Sequence, residues 1–68
     1  MVFIRITGEV KAIDDKFGFM NIEDERGAYY TIKVEANQVA GILLGDRVEV
    51  EVEWARGKAS SIKSIGKS

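Results

Sequence analysis

Glycine sets the grain of this chain. It stands at positions 8, 18, 27, 41, 45, 57 and 66 of 68 residues, and proline is absent. Glycine weakens helix and strand interiors and is favoured where a turn or bulge needs an unusual backbone. Between the glycines, apolar residues recur at every second position, the period of a strand with one buried face. Arg47–Trp54 alternates most cleanly: Val48, Val50, Val52 and Trp54 share one parity, Glu49, Glu51 and Glu53 the other. The valines and the tryptophan are expected inside. The glutamates are expected on a solvated face, where they also discourage pairing with other chains.

Four further pieces have strand character. Val2–Ile13 places Ile4, Ile6, Val10 and Ala12 inward and Arg5, Thr7, Glu9 and Lys11 outward. A bulge or bend is expected at Gly8. After the polar turn Asp14–Asp15–Lys16 comes Phe17–Glu23. Met20 and Ile22 there suit a core, whereas Phe17, Phe19 and Asn21 take the opposite face. Asp24–Glu25–Arg26–Gly27 reads as a hairpin turn with positive φ at Gly27. In Ala28–Val34, Tyr30, Ile32 and Val34 form the apolar parity. Tyr29, Thr31 and Lys33 then lie outside, the alternative being that Tyr30 is the exposed tyrosine.

Residues 35–44 show no period of two. Val39, Ile42 and Leu43 can fill one side of a short helical turn or an ordered loop, before a turn at Gly45–Asp46. Ala55–Arg56–Gly57–Lys58 reads as a second hairpin turn with two basic residues at its tip. Ala59–Ile65 closes the chain with Ile62 and Ile65 as anchors, and their spacing of three implies a bend or bulge. Gly66–Lys67–Ser68 is expected to fray.

The length suits one domain over residues 1–68, with a thin core, since a chain this short buries only about 60 % of its unfolded surface. There is no cysteine and no histidine. Disulfides, thiolate metal sites and the commonest general base are thereby excluded. The remaining carboxylate pairs, Asp14–Asp15 and Asp24–Glu25, sit in turns, where such groups usually cap backbone N–H groups. No phosphate-cradling glycine loop is present. The expectation is a non-enzyme without cofactor or metal. Met1–Val2–Phe3–Ile4–Arg5–Ile6 is too short and too quickly charged for a signal peptide or membrane span, so a cytoplasmic protein is the default.

The net charge of −1 carries no global basic signal, but its distribution is uneven. Residues 1–34 hold five basic and six acidic groups, residues 35–53 one and five, and residues 54–68 four and none. One positive face on a nearly neutral protein is therefore feasible.

Five short strands, the first broken by glycine, with a short non-strand segment between the third and fourth, outline an all-β fold. The expected form is a five-stranded antiparallel Greek-key barrel of the OB type, with a short helical turn or loop between strands 3 and 4. An SH3-like barrel is the structural competitor. At this level the residues resemble the cold-shock domain. Gly8–Glu9–Val10–Lys11 is similar to its opening G-x-V-K, and Lys16–Phe17–Gly18–Phe19–Met20 to its K-G-F-G-F-I. Ala28–Tyr29–Tyr30–Thr31 falls where its second aromatic motif lies. Ile42-x-x-Gly45-x-x-Val48-x-Val50 and Ala59-x-x-Ile62-x-x-Ile65 resemble its later motifs. The resemblance spans nearly the whole chain, with departures. Ala12 and Ile13 replace an exposed tryptophan and phenylalanine, the turn before Phe17 is shorter, a glycine and a histidine are missing, and residues 35–53 have no aromatic. Ile42–Val50 also resembles a segment of small translation-initiation-factor OB domains.

The resemblance implies single-stranded RNA or DNA as partner, low sequence preference and a role such as RNA chaperoning. On the residues themselves, Phe17, Phe19 and Tyr29 are expected to stack bases. Lys11, Lys16, Lys33, Arg56 and Lys58 would follow phosphates, and Thr31 and Asn21 would meet base edges. The missing platforms imply a short footprint of about three rings. The alternative is a protein-interaction or self-associating structural domain, monomer or weak homodimer, including a barrel engineered for fold alone. An exposed aromatic patch suits that as well.

Overall fold

The alternating stretches become five strands, β1 (Phe3–Asp14), β2 (Phe19–Glu23), β3 (Tyr29–Lys33), β4 (Asp46–Glu53) and β5 (Lys58–Lys67), with a single turn of helix, α1 (Ala36–Val39). The structure, a computed structural model, describes residues 2–67, with Lys67 described by its backbone alone. Of the expected frayed end, Gly66 and Lys67 belong to β5 and Ser68 lies outside the described residues.

The strands follow one another around the sheet in the order β1-β2-β3-β5-β4, and β4 pairs back onto β1 to close it. The sheet is mixed, not wholly antiparallel as expected. β3 and β5 run parallel and meet at Lys33↔Lys58, where the Lys33 N–H donates to the Gly57 carbonyl at 2.9 Å. Closure requires this, because β5 continues past the end of β3 in the same direction.

β1 is long enough to serve both sides. Phe3–Glu9 pairs with β4 and Glu9–Asp14 with β2. The change of partner is made at Glu9, and at the neighbouring Gly8 the backbone of β2 comes very close. A Cβ on Gly8 would lie 2.4 Å from the Glu23 carbonyl oxygen, so only glycine fits. The register break falls three residues later, between Val10 and Ala12. Lys11 is the extra residue, and the parity of β1 reverses after it. Ile13 therefore packs against the core and stands opposite Met20. Ala12, expected inward, faces outward opposite Asn21.

The core consists of Ile6, Val10, Met20, Ile22, Ile32, Val34, Val39, Val48, Val50, Val52 and Ala59. β2 and β4 supply it with alternate side chains, as read from the sequence, whereas β5 supplies Ala59 and, across a bulge, Ile62. α1 closes part of one end through Val39. Gln38 fastens it, accepting from the Glu35 N–H at 2.9 Å and donating to the Ala59 carbonyl at 3.0 Å. β5 bulges twice, with Ser60 and Ile65 skipped in its pairing to β4. Ile62 packs against the core, whereas the expected anchor Ile65 is the skipped, exposed residue.

Two further expectations fail at turns. β4 ends at Glu53 and the chain turns through Trp54–Gly57. Trp54, expected in the core, is therefore 63 % exposed. Leu43, expected to fill the loop interior, is 59 % exposed. The loop's interior position is taken by the carboxylate of Asp46, buried and accepting from the Leu43 N–H at 3.0 Å.

Candidate nucleic-acid interface

The outer face of β2 and β3 is built from register. Phe19 stands opposite Lys33, Asn21 opposite Thr31, and Glu23 opposite Tyr29. Met20 and Ile22 occupy the inner face, so the outward parity of Phe19 and Asn21 follows from the burial of their neighbours. Thr31 donates its hydroxyl to Asn21 Oδ1 at 2.8 Å. That bond fixes the Asn21 amide and leaves its NH₂ pointing away from its partner as a donor.

Phe17 is not in the strand. It sits in the turn Asp15–Gly18, because Asp14 Oδ1 accepts from the N–H groups of both Lys16 and Phe17, at 3.1 and 2.9 Å. Gly18 adopts φ +78° and donates to the Asp14 carbonyl at 2.8 Å. The turn holds Phe17 out of the sheet at 78 % exposure. It is anchored to the end of β3, where the Val34 N–H donates to the Gly18 carbonyl at 2.9 Å. Since Lys33 in turn bonds Gly57, the turn 15–18, the end of β3 and the turn 54–57 meet at one end of the barrel. Lys16, Phe17, Phe19, Lys33, Arg56 and Lys58 are thereby gathered there.

Tyr29 is the exposed tyrosine, at 64 %. It lies four positions from Phe19 in register, about 13 Å along the strands at the usual rise. The three rings share an outer surface but do not form one continuous platform: two mark one end of the hairpin and one the other. Tyr30 packs against the core and donates its hydroxyl to Asp24 Oδ2 at 3.1 Å. That bond to a carboxylate raises the phenol's pKa above its ordinary value. Asp24 is held below the usual carboxylate range, first by the Ala28 N–H, then by the Arg26 N–H and the Tyr30 hydroxyl. Asp14 and Asp24 are thus turn caps, the role their positions suggested.

The cations divide into two groups. Lys11 lies 3.3 Å from Glu9 and 3.4 Å from Glu23. Its pKa is raised, chiefly by the hydrogen bond to Glu9, and its charge is more than balanced by two carboxylates. Lys58 pairs with Glu35 at 3.1 Å and Arg56 with Glu53 at 3.7 Å. Among the described residues, Lys16 and Lys33 form no ion pair, and they flank the two phenylalanines. The other half of the barrel offers no comparable surface. There Glu49, Glu51 and Glu53 form a ladder between β1 and β5, with Arg5 beside Glu51 and Lys63 beside Glu49.

Four exposed apolar side chains escape the expected pattern: Trp54, Leu43, Leu44 and, at the second bulge of β5, Ile65. Trp54 immediately precedes the Ala55–Arg56–Gly57 turn, and that position was the available signal. The two leucines carry no periodic signal, since they lie in an irregular loop.

No curated protein and no solved structure matches the chain. The family model for the ribonuclease B OB domain matches residues 8–65. This span runs from Gly8 in β1 to the second bulge of β5 and takes in the outer face of β2 and β3 and the turns beside it. The matched family is an OB-fold, nucleic-acid-binding one, and it is distinct from the cold-shock domain that the short motifs resemble. With a match over most of its length, the chain belongs to the ribonuclease B OB-domain family.

Proposed function

We propose that this domain binds single-stranded RNA, without catalysis of its own, in the cytoplasm. The observation that carries the reading is the end of the barrel where exposed Phe17 and half-buried Phe19 lie beside Lys16 and Lys33, which form no ion pair among the described residues. Aromatic faces give sequence-tolerant stacking worth about 1–3 kcal/mol per base. Two free ammonium groups beside them attract the backbone in a salt-dependent way. The face of β2–β3 and the turns after β1 and β4 are the surfaces by which OB barrels hold oligonucleotides, and family membership supports the same ligand class. Asn21 supplies a donor between the two ends, and Tyr29 a third ring beyond it. Low sequence preference and a chaperone-like role follow from stacking without a base-reading network; single-stranded DNA is bound by the same surface.

The test is a titration with an oligo-U octamer at low salt. Phe17→Ala combined with Phe19→Ala should weaken binding by tenfold or more, as loss of about 1–3 kcal/mol per ring requires. Equal binding by parent and double variant would remove the stacking site from consideration.

A second reading is a protein-interaction domain. It draws on Val2, Phe3 and Trp54, which are exposed and adjacent, since the Trp54 N–H donates to the Val2 carbonyl at 3.0 Å. Sedimentation discriminates: self-association that disappears in Trp54→Ser would favour this reading, whereas a monomer indifferent to that change would favour RNA binding.

A further inference from the structure

A concavity beside the β2–β3 face is not used by the reading above. It is a groove of about 620 Å³, within the size range of small-ligand pockets. One wall is β1 at and after its bulge, the other α1 and the loop that follows it. Ala12, Ala36 and Ala40 line it with methyl groups only, and Leu43 and Leu44 stand across from β1.

The groove is a built feature. The Gly45 N–H donates to the Val10 carbonyl at 2.9 Å, which pins the loop to β1 immediately before Lys11. Buried Asp46 fixes Leu43 from below. The loop is therefore held in place with two leucines facing solvent, at 59 and 66 % exposure. A leucine pair held out of the core lacks an internal packing role. Ala12 stands opposite Asn21 on the outer face, so the groove opens onto the margin of the proposed RNA surface.

The groove also has a polar group to spare. Of the paired turn aspartates, Asp14 caps the turn, whereas Asp15, which lines the groove, makes no hydrogen bond among the described residues. A carboxylate is an acceptor only. A slot walled by aliphatic side chains, with a carboxylate acceptor at its rim, suits a flat ring that carries donors on its edge. Among the bases, guanine presents two adjacent donors, N1–H and the N2 amino group. Uracil presents one N–H between two carbonyls, which a carboxylate repels.

We propose that this groove is a nucleobase pocket selective for guanine, with Leu43 and Leu44 against the ring and Asp15 accepting from its Watson–Crick edge. The inference rests on the single-strand reading and adds a sequence preference to it.

The experiment compares fluorescently labelled oligo-U octamers with octamers carrying one guanosine, placed at each of the eight positions in turn. The parent should bind at least one guanosine octamer about tenfold tighter than oligo-U, the discrimination a carboxylate–base contact supplies. Ala40→Leu, which fills the groove from an exposed position, and Asp15→Ala, which removes the acceptor, should each abolish that preference. Both should leave oligo-U affinity within about twofold. A parent that binds oligo-U but shows no guanosine preference overturns the pocket while leaving the stacking surface intact. A preference that survives both substitutions overturns it as well. Failure to bind any octamer refutes the single-strand reading and the pocket with it. If Ala40→Leu changes only sedimentation, the groove is a contact between copies of the chain, and the pocket is again overturned.

Discussion

Gly8→Ala tests the closure of the sheet on which every surface above depends. The added methyl carbon would sit 2.4 Å from the Glu23 carbonyl oxygen, 2.9 Å from its carbon and 3.3 Å from the Asp24 nitrogen. Carbon–oxygen contacts settle near 3.3–3.6 Å, so the shortfall is about 1 Å. All three atoms are backbone, and no side chain can swing aside. Relief requires the end of β2 to move away from β1 beside Val10 and Ile22, which are buried and opposed in register. Overpacking of this kind costs about 1–3 kcal/mol, and a rigid backbone target places it at the upper end. A chain of this length has a total stability of about 3–10 kcal/mol. At about 4–8 °C per kcal/mol, a loss near 3 kcal/mol lowers Tm by about 12–24 °C. Thermal and urea denaturation followed by far-UV circular dichroism measure this directly. Gly66→Ala is the control: nothing lies within 4 Å of its Cβ position, and its stability should change by less than about 0.5 kcal/mol. A Gly8→Ala protein melting within about 2 °C of the parent would refute the close approach of the two strands.

Three other outcomes follow from the same structure. Lys16→Ala with Lys33→Ala should reduce the slope of log affinity against log salt by about 2 for oligo-U. Lys11→Ala, whose ammonium is already held by Glu9 and Glu23, should change it by well under 1. Asp24 is lowered in pKa by folding, so its contribution is complete above the ordinary carboxylate pKa and is lost as pH falls through the lowered folded value. Asp24→Asn should therefore flatten the loss of stability below about pH 4, read from urea midpoints across pH. In the core, Ile22→Val should cost about 0.5–1.5 kcal/mol and Met20→Ala about 2–5 kcal/mol in urea unfolding. The latter approaches the whole stability of the domain.

Local covalent pattern and tertiary closure divided the work in this protein. The period of two, read from the chain alone, identified four of the strands (the fifth was read from anchors spaced by three) and the buried parity of Met20, Ile22, Ile32, Val48, Val50 and Val52. It did so because side-chain direction in a strand is a local property. The turn caps Asp14 and Asp24 and the positive φ of Gly27 were legible for the same reason. The misassigned residues all lie where the sheet is forced to close or to stop. Ala12 and Ile13 exchange faces because β1 bulges at Lys11 as it moves from β4 to β2, and no residue type at that position announces it. Phe17 leaves the strand because Asp14 captures its N–H. Trp54 leaves the core because β4 ends one residue before the alternation does. β5 lies parallel to β3 because only that geometry completes the ring. The basic residues at 11, 16, 33, 56 and 58 looked equivalent as sequence. The fold paired three with carboxylates distant or near in the chain and left Lys16 and Lys33 free beside the phenylalanines. Charge partners are a property of packed surfaces, and that is why the chain alone named the outward aromatics but only the closed sheet decided which of its cations lie beside them without a carboxylate partner among the described residues.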